Sequence, residues 1–240
     1  ARIEPKTIDE VIFGNITALQ YNNMARVASL EAGLPVEVPA ITIDRQCGTS
    51  VNGLAYAAMF IESGYHDCLV VGGVNSDTHR VYIFEKPSQA FSMTPMKSID
   101  FPVTSPKEFQ ETNMLVTAEN LAKKYNISRE EADEFAVWSH QKAAKAWEMG
   151  LFDEHTLQVE VEVGKGKTIV VNKDETLRPE TSKEILAKLP VVSGVENGIV
   201  TAGNSSPYSD GASAMVVMEK RKAKELGLPI LATFRGYAAA

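Results

Sequence analysis

An α/β fold with a mostly parallel sheet is the architecture predicted by this chain of 240 residues. Three observations point to it. Strand-like and helix-like segments alternate along VIFG (11–14), NNMARVASLEAG (22–33), AITIDR (40–45), a small-residue helix over 48–63 and DCLVVGG (67–73). The strand-like runs are continuously apolar, as expected of strands covered on both faces. The strands are separated by helix-length segments, which parallel neighbours require for their right-handed crossovers.

Composition sets the outer bounds. A hydrophobic fraction of 44% with 23% charged residues is ordinary for a globular domain, and the length leaves room for a real core. The formal net charge of −7 argues against a broad nucleic-acid surface. It still allows a polyanionic small molecule held by a few local cations. No apolar run approaches the roughly 20 residues of a membrane span, and no basic-plus-apolar signal pattern opens the chain. Two cysteines, Cys47 and Cys68, offer neither a disulfide framework nor a metal cluster. A reducing, cytoplasmic compartment is the expectation.

Along the chain, a polar start leads into the strand ending at Gly14. The helix over 22–33 is stopped by Gly33 with Pro35 behind it. The helix over 48–63 ends at Gly64, and the strand DCLVVGG closes on two glycines. Residues 74–112 carry prolines and polar clusters without a clean period, which marks the entry to an inserted subdomain. Two helices follow, at 114–125 and 129–149. The second opens with a capping box, Ser128 with Glu131, and carries an apolar stripe of Ala132, Phe135, Ala136, Ala143, Ala146 and Trp147. LQVEVEV (157–163) alternates as a strand with one wet face. A mixed linker, 164–198, holds a short helix around SKEILAKL. The chain then returns through IVTAGNSSPYSDG to a buried strand, ASAMVVME, a short helix at 220–226, and ILATFRGYAAA, which reads as an opening strand.

Cys47 stands where a strand hands over to a helix, in DRQCGTSVNG. The first amides of a helix lack internal partners, and with the macrodipole they favour an anionic sulfur. Gly48, Thr49 and Ser50 are small enough to admit a bulky substrate. Read from position alone, Cys47 is either a nucleophile or a small core hydrophobe. Cys68, inside an apolar strand, reads as core filler. A thiolate nucleophile also needs a proton acceptor and an oxyanion site, and the four histidines, His66, His79, His140 and His155, sit where surface or structural roles are expected. GVENGIVTAG is glycine-rich without the spacing of a dinucleotide loop.

The order of these segments resembles the thiolases, the acyl-CoA C-acyltransferases. DRQCGTSVNGLAYAA is similar to their nucleophile motif and LVVGGVNS to the strand that follows it. MLVTAENLAKKYNISREEADEFAVWSHQKAAKAW is similar to the helices of their loop domain, and VTAGNSSPYSDGASAMVVMEKRKAKELG to the return into the core. The resemblance implies a layered α-β-α core, incomplete here, with an inserted α+β loop domain. The core would comprise residues 1–78 and 199–240 without its first strand and helix, the loop domain residues 79–198, and the family's C-terminal domain would be absent. It implies that Cys47 carries an acyl group as a thioester, making or cleaving 3-ketoacyl-CoA in fatty acid metabolism. Arg178 would pack on the adenine of coenzyme A, Ser206 would bond the pantetheine amide, and Ala202 and Met114 would wall the pantetheine channel. Coenzyme A thioesters would be substrates with no permanently bound cofactor, and the complete protein would be a homodimer or homotetramer.

Some positions depart from the family pattern. Thr49-Ser50 stands where Ser-Gly is usual, Asn75 where glutamate is frequent, and Asn113 where short-chain biosynthetic members have histidine. The histidine and second cysteine that serve the family in proton transfer have no counterpart here, so this chain alone is expected to have negligible turnover. The alternatives are a non-catalytic acyl-CoA-binding subunit of a split thiolase-like complex, and a ketoacyl-synthase-like condensing enzyme. The loop-domain insertion and TAGNSSPYSDG favour the thiolases over the latter.

Overall fold

A computed structural model describes residues 3–16, 21–89, 91, 93–99, 106, 108 and 113–239. In chain order the elements are β1 (Glu10–Gly14), α1 (Met24–Glu31), β2 (Ala40–Ile43), α2 (Thr49–Glu62), β3 (Cys68–Asn75), β4 (Ile83–Phe84), β5 (Ser98–Ile99), α3 (Met114–Tyr125), α4 (Arg129–Glu148), β6 (Val159–Glu162), β7 (Thr168–Val171), α5 (Lys183–Leu186), β8 (Gly211–Met218) and α6 (Lys220–Glu225). They form two compact units, one of Ala1–Phe101 with Tyr208–Ala240, the other of Pro102–Pro207.

The first unit is built on a sheet of order β2-β1-β3-β8. β1 runs parallel to both β2 and β3, and β8 pairs antiparallel with β3. Successive residues of a strand face opposite ways, and here both faces are covered. Val11 packs with Ala25 of α1, Val38 and Cys68 on one face. Its neighbour Ile12 packs with Ala57 of α2, Leu69 and Val71 on the other. That two-sided cover is why VIFG and CLVV are apolar without alternation. Asn23 fixes the start of α1: its side chain accepts from the Arg26 amide and donates to the carbonyl of Ala40 in β2.

The second unit is held by α3 and α4 around a short irregular stretch. Asn113 caps α3 by accepting from Val116 N at 2.9 Å. Ser128 and Glu131 form the full capping box of α4, as their spacing predicts. β6 and β7 form an antiparallel hairpin.

Four expectations need correcting. The apolar stripe of α4 does not include Phe135, which is 65% exposed; Asp133 and Val137 are the buried positions. β6 is exposed on both faces, and its only sheet neighbour among the described residues is β7. The first five residues of β8 are exposed although their sequence reads as buried. ILATFRGYAAA forms no strand over its described residues, 230–239. The linker 164–198 also contains β7, a strand with no clear alternation signal in TIVV.

Candidate active site

In the first unit, the turn that carries Cys47 is tightly constrained. Gln46, Cys47 and Gly48 form a single 3-10 turn leading into α2. Gln46 adopts a left-handed backbone, φ 48°, which costs a non-glycine residue energy and persists only where the surroundings enforce it. Three hydrogen bonds do so. The Gln46 amide donates to Asp44 Oδ1 at 2.7 Å, the Arg45 amide donates to Thr49 Oγ1 at 2.7 Å, and Thr49 Oγ1 donates to the Gln46 carbonyl at 2.5 Å. Thr49 is buried, whereas Cys47 is exposed.

The helix behind Cys47 begins without a side-chain cap. Its first amides therefore have no side-chain partner at the helix end where the dipole is positive. It approaches the sheet closely at Gly14, the last residue of β1, and at Gly73, near the end of β3. A Cβ on Gly14 would lie 2.6 Å from Thr49 Cγ2, and one on Gly73 would lie 2.4 Å from Ser50 Oγ. A hollow of about 400 Å³ opens here, lined by Cys47, Thr49 and Ser50 together with the ends of β1 and β3 and the start of β8. It lies beyond the carboxyl ends of the parallel strands, where open α/β sheets bind ligands.

Its described lining contains no imidazole, carboxylate or ammonium group. Three of the four histidines have side-chain partners of their own. His66 pairs with Glu10 at 3.0 Å and meets Phe60 edge to face. His79 Nδ1 meets Ser76 Oγ at 2.9 Å, His140 Nδ1 accepts from the Arg178 amide at 3.2 Å, and His155 lies in the turn after α4. Cys68 is fully buried. Burial pushes its thiol up to about 11, against the pull of Lys222 and with the help of Asp9 and Asp67. It is inert core, as its sequence context predicts.

The other four candidate residues belong to the second unit. Met114, first residue of α3, is 76% exposed, which rules out a core role within that unit. Arg178, Ala202 and Ser206 are also exposed. The turn carrying Ala202 is anchored by two carboxylates that sequence reasoning missed. Glu119 of α3 accepts from Ser193 Oγ and from the amides of Ile199 and Val200 at 2.7–3.0 Å. Asp133 of α4 accepts from Arg129 Nε and from Asn204 Nδ2, while Asn204 Oδ1 accepts from Thr201 N. Burial raises the Glu119 carboxyl, but the bonds from Ser193, Ile199 and Val200 together outweigh it and hold the group below its ordinary value. The available signal was a glutamate in an otherwise helical, mildly apolar stretch, TAENLA, and alone it does not reveal a partner 80 residues away.

The family profile described as "Thiolase, N-terminal domain" matches residues 1–221. This chain belongs to the thiolase family. Among curated thiolase relatives, it is 40% identical over 98% of its length to a Staphylococcus aureus (strain COL) protein described as "Probable acetyl-CoA acyltransferase", of which it covers 60%. It is 42% identical over its whole length to a Shewanella loihica "3-ketoacyl-CoA thiolase", of which it covers 59%. Among solved structures, it superposes with a TM-score of 0.86 on human mitochondrial 3-ketoacyl-CoA thiolase, at 31% identity, over 95% of this chain and 58% of that one. The TM-score is 0.83 for the Bacillus anthracis acetyl-CoA acetyltransferase, at 36% identity, again over 95% and 58%. The thiolase chain thus spans about three fifths of the relatives it matches.

Proposed function

We propose that this chain supplies the nucleophile and much of the coenzyme A groove of an acyl-CoA C-acyltransferase. The observation that carries the reading is an exposed Cys47, in a hollow, at the uncapped N-terminus of a 14-residue helix. In the proposed first half-reaction, Cys47 Sγ attacks the thioester carbonyl of an acyl-CoA. A new C–S bond forms to the enzyme, the C–S bond to coenzyme A breaks, and coenzyme A leaves as a thiolate that takes up a proton.

In the second half-reaction, a second acyl-CoA loses an α-proton to a base and its α-carbon attacks the acyl-enzyme carbonyl. A C–C bond forms, the C–S bond to Cys47 breaks, and the Cys47 sulfur leaves as a thiolate as 3-ketoacyl-CoA is released; run backwards, the cycle cleaves a 3-ketoacyl-CoA. Both directions need a base and an acid, and the described lining of the hollow offers neither. We therefore place the proton-transfer groups outside this set of residues and expect negligible turnover from the isolated chain. Arg178 would stack its planar guanidinium on the adenine. Met114 and Ala202 would wall the pantetheine channel, and Ser206 would bond its amide. Acyl-CoA and coenzyme A would bind as substrates, with no resident cofactor, and the assembled enzyme would be a cytoplasmic homodimer or homotetramer. No described helix is long and apolar enough to cross a membrane.

The test is intact-mass spectrometry after incubation with acetyl-CoA and longer acyl-CoAs, with Cys47→Ala as control. An acyl adduct that vanishes in the control is the expected result. A folded sample that binds acyl-CoA but forms no adduct would favour a non-catalytic binding subunit.

A further inference from the structure

We infer that Tyr237 is a positioning residue for Cys47, acting through Arg45 and Asn52; the inference rests on the reading of Cys47 as the nucleophile. The stretch after α6 has no regular structure and is largely exposed, yet Tyr237 is partly buried within it. Arg45 Nη1 donates to the Tyr237 hydroxyl at 2.6 Å, and that hydroxyl donates to Asn52 Oδ1 at 2.7 Å. The direction of both bonds is chemically forced. A guanidinium only donates and an amide oxygen only accepts, so the phenol, with one proton and free lone pairs, must accept from one and donate to the other. Asn52 is 2% exposed, so loss of this bond would leave a buried polar group short of its partner.

The two contacts straddle the nucleophile. Arg45 immediately precedes the left-handed Gln46, and Asn52 lies on α2 just beyond the turn. Thr49 and Asp44 brace the turn from within, and Tyr237 braces it from a segment 185 residues further along the chain. The bond from Arg45 is charge-assisted and so among the stronger of its kind. Removing the phenol oxygen releases both sides of the turn at once. Gln46 then loses its outer brace, and the backbone that carries Cys47 is free to shift.

The experiment compares carbamidomethylation rates of the two cysteines by iodoacetamide in the 240-residue chain, resolved by peptide mapping, for the wild type, Tyr237→Phe, Arg45→Lys and Arg45→Met. Tyr237→Phe is expected to slow Cys47 about fivefold, the equivalent of about 1 kcal/mol, while Cys68 stays protected. Arg45→Lys retains one N–H donor for the phenol and should keep most of the rate; Arg45→Met should lose it as Tyr237→Phe does. An unchanged Cys47 rate in Tyr237→Phe overturns the inference. So does faster labelling of both cysteines, which would mean that Tyr237 only stabilises the fold. Because iodoacetamide needs no acyl-CoA, a wild-type chain that forms no acyl adduct would count against the proposed function and leave this comparison intact.

Discussion

Thr49 shows what a single side chain does at this site. It stands where the family pattern expects serine, and the following Ser50 where it expects glycine. Its hydroxyl joins the Arg45 amide to the Gln46 carbonyl across the turn that holds Cys47. Thr49→Ala removes the hydroxyl shared by the part-buried Arg45 amide and Gln46 carbonyl, so it should cost about 1 kcal/mol in urea unfolding and slow labelling of Cys47; Thr49→Ser should restore both. Gly73→Ala is expected to be worse for the site than its size suggests, since its Cβ would press within 2.4 Å of Ser50 Oγ. Loss of acyl adduct by mass spectrometry, with the far-ultraviolet circular dichroism kept, would check that. The two cysteines were separable in the sequence because their contexts differ in kind, a turn before a helix against the middle of an apolar strand. The brace from Tyr237 was not legible, since nothing local in RGYAA points back to residue 45.

At the scale of elements, helix boundaries were the most legible, because caps and stops are local chemistry. Ser128 with Glu131 announced α4, and Asn113 proves to be the cap of α3. Asn113→Ala should therefore destabilise the protein by about 1 kcal/mol, read as a lower urea midpoint with an unchanged slope. Burial was less legible. The run ASAMVVME says that β8 is able to be covered, and five of its residues are exposed all the same, because apolarity does not specify what lies above a strand. Phe135 misled in the same way. It falls near the helical stripe of α4, but the face that packs is set by Asp133 and its bonds to Arg129 and Asn204, a polar contact invisible to hydrophobic periodicity.

For the whole molecule, α/β class and strand order along the chain were readable because two-sided burial leaves its mark in every central strand. The second unit was harder, as it coheres through carboxylates as well as apolar packing. That gives it a pH signature. The Glu119 carboxyl is held below its ordinary value of 4.5 in the folded state. A depressed folded value stabilises the protein above the unfolded value, and that contribution is lost as pH falls through the folded one. Urea unfolding should thus weaken below about pH 4.5 in the wild type. Glu119→Gln should be less stable at pH 7, with the gap to wild type narrowing as the solution is acidified. A gap that stays constant from pH 7 to pH 3 would rule Glu119 out as its source.

The hairpin of β6 and β7 has a practical corollary. Gly164, Lys165 and Gly166, at its tip, all have positive φ, and every residue of β6 is exposed. The tip offers trypsin two lysines, Lys165 and Lys167, in an accessible, irregular backbone. Brief digestion should nick the chain there first, and the severed strands should stay joined by their cross-strand hydrogen bonds. The same tip is the natural place to graft an affinity tag or a fluorescent reporter.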